Sequence, residues 1–228
     1  MKAVKLIRFP NLFIIALTQV LFRYAIMLPI MNMEHIKPVM THFDFALLVI
    51  STVCIAAAGY AINDYFDVRS DRINKPDKII IGKIISRRTA IFFHTFFNII
   101  GILLGFYVSY KIGSLKLGAI NIVCSIFLWL YSLKYKAYFL VGNIMISALS
   151  ALAILVLWLF EMTALHNNLQ IIINYRYLMM FFLWTYCGFA FIISMIREII
   201  KDIEDIEGDK KDNCSPIPVV MGISRTKI

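Results

Sequence analysis

The chain has 228 residues, 61% of them hydrophobic and 16% charged, with a mean hydropathy of +0.79 and a net charge of +9. That composition excludes a soluble globular domain and points to a polytopic membrane protein. The positive charge does not read as a nucleic-acid surface, because the cytoplasmic loops that carry most of it also carry most of the acidic residues.

Apolar runs long enough to cross a bilayer core of ~30 Å recur six times. They cover residues 11–30, 43–62, 90–110, 117–131, 139–160 and 178–196, and predict an all-α membrane bundle forming one domain over residues 1–228. The first run lacks a small-residue cleavage site and reads as a retained helix rather than a signal peptide. With the N-terminus in the cytoplasm, Lys2, Lys5, Arg8, the 69–88 segment, Lys134, Lys136 and everything from Arg197 onward lie inside, which is 18 of the 23 Lys and Arg residues. Lys37, Lys111, Lys116 and Arg176 lie outside, and Arg23 falls within the first span. The positive-inside rule then predicts a multi-pass protein of the cytoplasmic (inner) membrane. The four cysteines have no CxxC spacing and read as packing residues.

The second run leads into Asn63-Asp64-Tyr65-Phe66-Asp67-Val68-Arg69-Ser70-Asp71. The sixth leads into Asp202-Ile203-Glu204-Asp205-Ile206-Glu207-Gly208-Asp209. In each, three aspartates fall at i, i+3 and i+7, which puts their carboxylates on one face of a helix. Like charges so placed repel unless a cation sits among them. Hard oxygen ligands at this density suit Mg²⁺, which takes a few carboxylates plus substrate phosphate oxygens. Two such clusters on the cytoplasmic side, facing one cavity, could grip a diphosphate from two sides. Asn63 adds a neutral oxygen one turn before Asp67. The repetition also suggests an internal duplication. The plainer alternative is a solvated helix end with its charges balanced by Arg69, Arg72 and Lys75 in the first cluster and by Lys201, Lys210 and Lys211 in the second.

The loop after the first cluster is predicted to break its helix at Asn74-Lys75-Pro76. The apolar stretch 79–85 could then lie on the membrane surface or cap a cavity. Gly208 is expected to permit a turn after the second cluster, and Pro216 and Pro218 to end any helix there. Tyr131, Ser132, Lys134, Tyr135 and Lys136 close the fourth span, either as a juxtamembrane belt or as hydroxyl and ammonium donors to a phosphate. Arg8 and Asn11 are topology residues or substrate contacts. Arg72, Lys83, Arg197 and Lys201 are further cations within reach of a diphosphate.

Taken together these motifs resemble the UbiA superfamily of intramembrane prenyltransferases. The first signature is carried by Asn63, Asp64, Asp67, Asp71, Asn74, Pro76, Gly82 and Ser86, and a YSxxK-type element by Tyr131, Ser132 and Lys134 to Lys136. Gly142-Asn143 follows. The second signature is carried by Arg197, Glu198, Lys201, Asp202, Asp205, Gly208, Asp209, Pro218, Val219 and Gly222. Its wording is most similar to the branch that makes ether lipids from geranylgeranylglyceryl phosphate. The resemblance implies Mg²⁺-dependent transfer of a prenyl group from a prenyl diphosphate, geranylgeranyl diphosphate in that branch, to a lipophilic acceptor. In that scheme Asn63, Asp64, Asp67 and Asp71 hold one metal and Asp202, Asp205 and Asp209 the other. Family members usually have about nine membrane helices, so the resemblance implies that this chain stops three short. Competing readings are an aromatic-acceptor prenyltransferase, an inactive short homologue and a divalent-cation transporter.

Overall fold

The computed structural model describes residues 7–74, 80–167, 173–211 and 214–226. Lys2, Lys5 and the 75–79 stretch with Pro76, Asp77 and Lys78 lie outside the described residues, as does the side chain of Arg176. Among the described residues six helices are long and apolar enough to cross a membrane. They are α1 (Phe9–Met33), α2 (His42–Asn74), α3 (Arg87–Lys111), α4 (Ala119–Leu133), α5 (Val141–Asn167) and α6 (Ile173–Glu204). Three short helices follow: α7 (Ile206–Lys211), α8 (Ile217–Met221) and α9 (Ile223–Thr226). Four of the expected spans fall inside these helices, the fourth starts within the 3-10 turn at Leu115–Gly118 that precedes α4, and the fifth starts two residues before α5.

Helix α2 is the spine. It packs along α3, then against α4 and α1, while α5 pairs with α6. Small residues let α2 and α3 approach closely, as is usual between membrane helices. A Cβ on Gly105 would meet the Asn121 amide of α4 and come within 3.3 Å of Ser51 Oγ. Ser51 Oγ donates to the Gly101 carbonyl at 2.6 Å, and Asn121 Nδ2 donates to both Ser51 Oγ and Gly101 O. A polar knot thus joins three helices where the chain has no room for larger side chains. The outward faces carry Phe13, Leu103 and Trp184, each more than half exposed, as a lipid-facing surface would.

The far end of the bundle is fastened differently. A π-helical segment, Phe22–Met27, interrupts α1 and carries Arg23. Arg23 Nη1 donates to Glu161 Oε2 at 2.8 Å, with both side chains fully buried. Arg23 Nη2 donates to the Met40 carbonyl, and Glu161 Oε1 accepts from the backbone N–H of Val39 and Met40. One ion pair therefore ties α1, the α1–α2 loop and α5 together.

Two expectations about turns are corrected. Gly208 sits inside α7, and the break between α6 and α7 falls at Asp205 instead. Glycine is needed there for space: a Cβ would press on the Asn74 amide and lie 2.7 Å from Ser70 Oγ. Pro216 and Pro218 open α8 rather than ending a helix. The first turn of a helix has no partner for its N–H groups, so proline costs little at that position.

Candidate active site

Helix α2 runs twelve residues past its expected end, unbroken through the first acidic cluster. Asp64, Asp67 and Asp71 therefore share one helical face, as the spacing requires. The second cluster keeps its register across the α6–α7 break, because Asp205 N–H donates to Lys201 O at 3.0 Å and Asp209 N–H to Asp205 O at 3.1 Å. The two clusters are clasped at one end of the bundle. Asn74 Nδ2 donates to the Asp205 carbonyl at 3.0 Å and Asn74 Oδ1 accepts from the Gly208 N–H at 2.7 Å. From the start of α5, Asn143 Nδ2 donates to Asp202 Oδ2 at 2.7 Å.

Cations and amides stand against the carboxylates. Arg8 precedes α1 in a left-handed conformation, φ 49°, and donates to Asp64 Oδ1 at 2.6 Å while lying over the Tyr60 ring. Burial opposes the Arg8 charge, but the Asp64 carboxylate outweighs it and holds the Arg8 pKa above its ordinary value. Asp67 is ion-paired with Lys136, and Asn63 Nδ2 donates to its other oxygen at 2.6 Å. Of the two lysines in the 131–136 segment, Lys136 is the one that reaches the cluster. Lys134 is exposed and lies over the Tyr138 ring instead. The reason is local: α4 ends at Leu133, Lys134 leaves helical geometry, and the 3-10 turn Tyr135–Ala137 redirects the chain. Ser132 is also spent elsewhere, donating to the Leu128 carbonyl at 2.8 Å and almost wholly buried. Arg72 and Lys83 are exposed outside the cavity.

A cavity of about 700 Å³ opens beside the clusters, walled by α1, α2, α4, α5 and α6. Its polar end carries Arg8, Asn11, Asn63, Tyr131, Arg197, Glu198 and Lys201. Beyond them the walls are mainly apolar, with Ile14, Ile55, Leu128, Leu149 and Phe189. From Asn63 to Thr52, both on its α2 wall, it runs about 16 Å at 1.5 Å per residue. Six of the predicted contact residues line it, whereas none of the six aspartates is among its lining residues.

Among the described residues no three His, Cys, Asp or Glu side chains form a ready metal cage. The donors nevertheless suit a hard cation shared with a substrate. They are all oxygens, and Asn63 Oδ1 is buried with no hydrogen-bond donor. Mg²⁺ characteristically takes one or two carboxylates and completes its shell with phosphate oxygens and water.

Residues 12–228 match the UbiA prenyltransferase family. Proteins named digeranylgeranylglyceryl phosphate synthase from Methanosphaera stadtmanae and Thermococcus gammatolerans are 31% and 33% identical, over 78% and 77% of this chain. The matches cover 59% and 55% of those proteins, so the chain spans little more than half the length of these relatives. A solved structure concerned with digeranylgeranylglyceryl phosphate synthase in membranes superposes with a TM-score of 0.62 at 26% identity. It covers 99% of this chain and 70% of that one.

Proposed function

This chain belongs to the UbiA prenyltransferase family, and from that membership we propose that it transfers a prenyl group from a prenyl diphosphate to a lipophilic acceptor. It is a multi-pass integral membrane protein. The donor is geranylgeranyl diphosphate and the acceptor geranylgeranylglyceryl phosphate, in keeping with the names of its relatives. The excess of Lys and Arg in the loops at that end supports a cytoplasmic side for the acidic clusters.

One observation carries the reading: an apolar cavity ends in a cationic and amide-rich mouth, directly beside two clasped aspartate clusters. An isoprenoid tail suits the apolar length, and a diphosphate suits the mouth. Arg8, Lys136 and Lys201 supply positive charge for the diphosphate oxygens. Asn63, Asp64, Asp67 and Asp71 on one side, and Asp202, Asp205 and Asp209 on the other, are the residues that would hold Mg²⁺. When bound, the metal neutralises charge developing on the leaving diphosphate. The protein's own part is to fix the diphosphate at the mouth, lay the tail along the wall, and keep water from the reacting carbon. Tyr60 and Tyr131 put aromatic faces at that end, which suit an allylic cation.

The test is an assay in membranes with radiolabelled geranylgeranyl diphosphate, Mg²⁺ and geranylgeranylglyceryl phosphate. Labelled lipid product, abolished by EDTA and by Asp67→Ala or Asp205→Ala, is expected. Product formed only from 4-hydroxybenzoate or homogentisate would move the chain to an aromatic acceptor. Metal flux into vesicles without any lipid substrate would favour a transporter.

A further inference from the structure

Among the described residues only one carboxylate lines the cavity, and it belongs to neither aspartate cluster: Glu198 on α6. It is buried, 7% exposed, and faces Tyr131, whose hydroxyl donates to Glu198 Oε2 at 3.4 Å. That is a long and weak hydrogen bond. The aspartates near it are more firmly held. Asp64 pairs with Arg8, Asp67 with Lys136 and Asn63, and Asp202 with Asn143.

We propose that Glu198 is the base that takes the proton from the acceptor hydroxyl. The inference rests on the prenyl-transfer reading above and goes beyond it. Glu198 precedes Asp202 by four residues, so it lies about 6 Å deeper along the same helix. A diphosphate held at the level of Asp202 has its first prenyl carbon one bond beyond its bridging oxygen, on the apolar side. That carbon therefore falls at the level of Glu198, and the acceptor oxygen must approach it there. In the step, the acceptor oxygen bonds to the prenyl carbon. The bond from that carbon to the diphosphate breaks, and its electron pair leaves with the diphosphate. The acceptor proton passes to the Glu198 carboxylate and goes to water when the product departs. A base inside the cavity also removes the proton without admitting water to the cation.

The bland alternative is that Glu198 merely anchors Tyr131. Two variants separate the roles. Glu198→Gln keeps the shape and an acceptor for the Tyr131 hydroxyl but is no base, whereas Tyr131→Phe removes the hydrogen bond and leaves the carboxylate. Single-turnover transfer to geranylgeranylglyceryl phosphate is measured alongside binding of a thiolodiphosphate analogue of geranylgeranyl diphosphate. Glu198→Gln is expected to slow transfer by roughly 10²- to 10⁴-fold, with analogue affinity within twofold of wild type. Tyr131→Phe is expected to lose less than tenfold. If Glu198→Gln keeps more than a third of the transfer rate, or loses analogue binding in step with transfer, Glu198 is not the base. If wild type binds the analogue but transfers nothing, the prenyl-transfer reading fails, and this assignment fails with it.

Discussion

Arg8, the residue before α1, donates to Asp64 on α2 at 2.6 Å, so a cation from outside α2 stands at the polar end of the cavity. In the proposed reaction that guanidinium can also serve an oxygen of the diphosphate. A charge-assisted hydrogen bond contributes about 1.5–3 kcal/mol. Arg8→Ala is therefore expected to raise the half-saturating concentration of geranylgeranyl diphosphate roughly 10- to 100-fold. Thermal stability should move little, because the Arg8 side chain is one-third exposed and such pairs are screened. Substrate titration in membranes checks the first and thermal unfolding in detergent the second; an unchanged KM would confine Arg8 to holding Asp64.

Lys134 and Lys136 are two residues apart and face different partners. Lys136→Ala is expected to cut transfer at least tenfold, since it strips the counter-charge from Asp67 and a donor from the diphosphate. Lys134→Ala should stay within about twofold, because it removes only a peripheral contact with Tyr138. Parallel rates for the two variants decide the matter, and equal losses would contradict the pairing seen here.

These residues also show where sequence reading reaches its limit. The six spans and the aspartate faces of Asp64, Asp67 and Asp71 were legible because hydropathy and helical period are local properties. Which of Lys134 and Lys136 meets the cluster was not, because a 3-10 turn redirects the chain just past the end of α4. Glu161 was left outside the fifth span, and nothing in its neighbourhood names Arg23, 138 residues away, as its partner. Gly208 read as a turn because glycine often marks one, while its actual constraint is the side chain of Asn74 from a distant helix. Glu198 appeared only as part of a motif; that it alone among the described carboxylates faces the cavity depends on how α6 is rotated. Contacts between distant segments set each of these, and periodicity carries no record of them.

The clasp between the clusters gives a sharper test of whether their mutual position matters. Gly208→Ala forces a Cβ against Asn74 and Ser70, and it should push α7 away from α2. Asn74→Ala removes the same two hydrogen bonds without adding bulk. Both variants are expected to lose transfer by tenfold or more while helical content by circular dichroism stays at the wild-type level. If either keeps full activity, the two clusters do not need to be held together for catalysis.

At the opposite end of the bundle, the Arg23–Glu161 pair should govern stability rather than chemistry. Both side chains are essentially inaccessible, and the pair also carries the backbone groups of Val39 and Met40. Removing one member leaves the other charge buried and unmatched, which typically costs 3–5 kcal/mol. Glu161→Ala strands the most groups, leaving the Arg23 guanidinium and two backbone N–H groups without their acceptor. Arg23→Met leaves the carboxylate still bonded to those N–H groups, so its cost should be the smaller. The double variant should be destabilised by clearly less than the sum of the two, because the second substitution removes the charge that the first one stranded. Unfolding in detergent, followed by circular dichroism, reads all three. Additive losses would mean that the two side chains are not coupled.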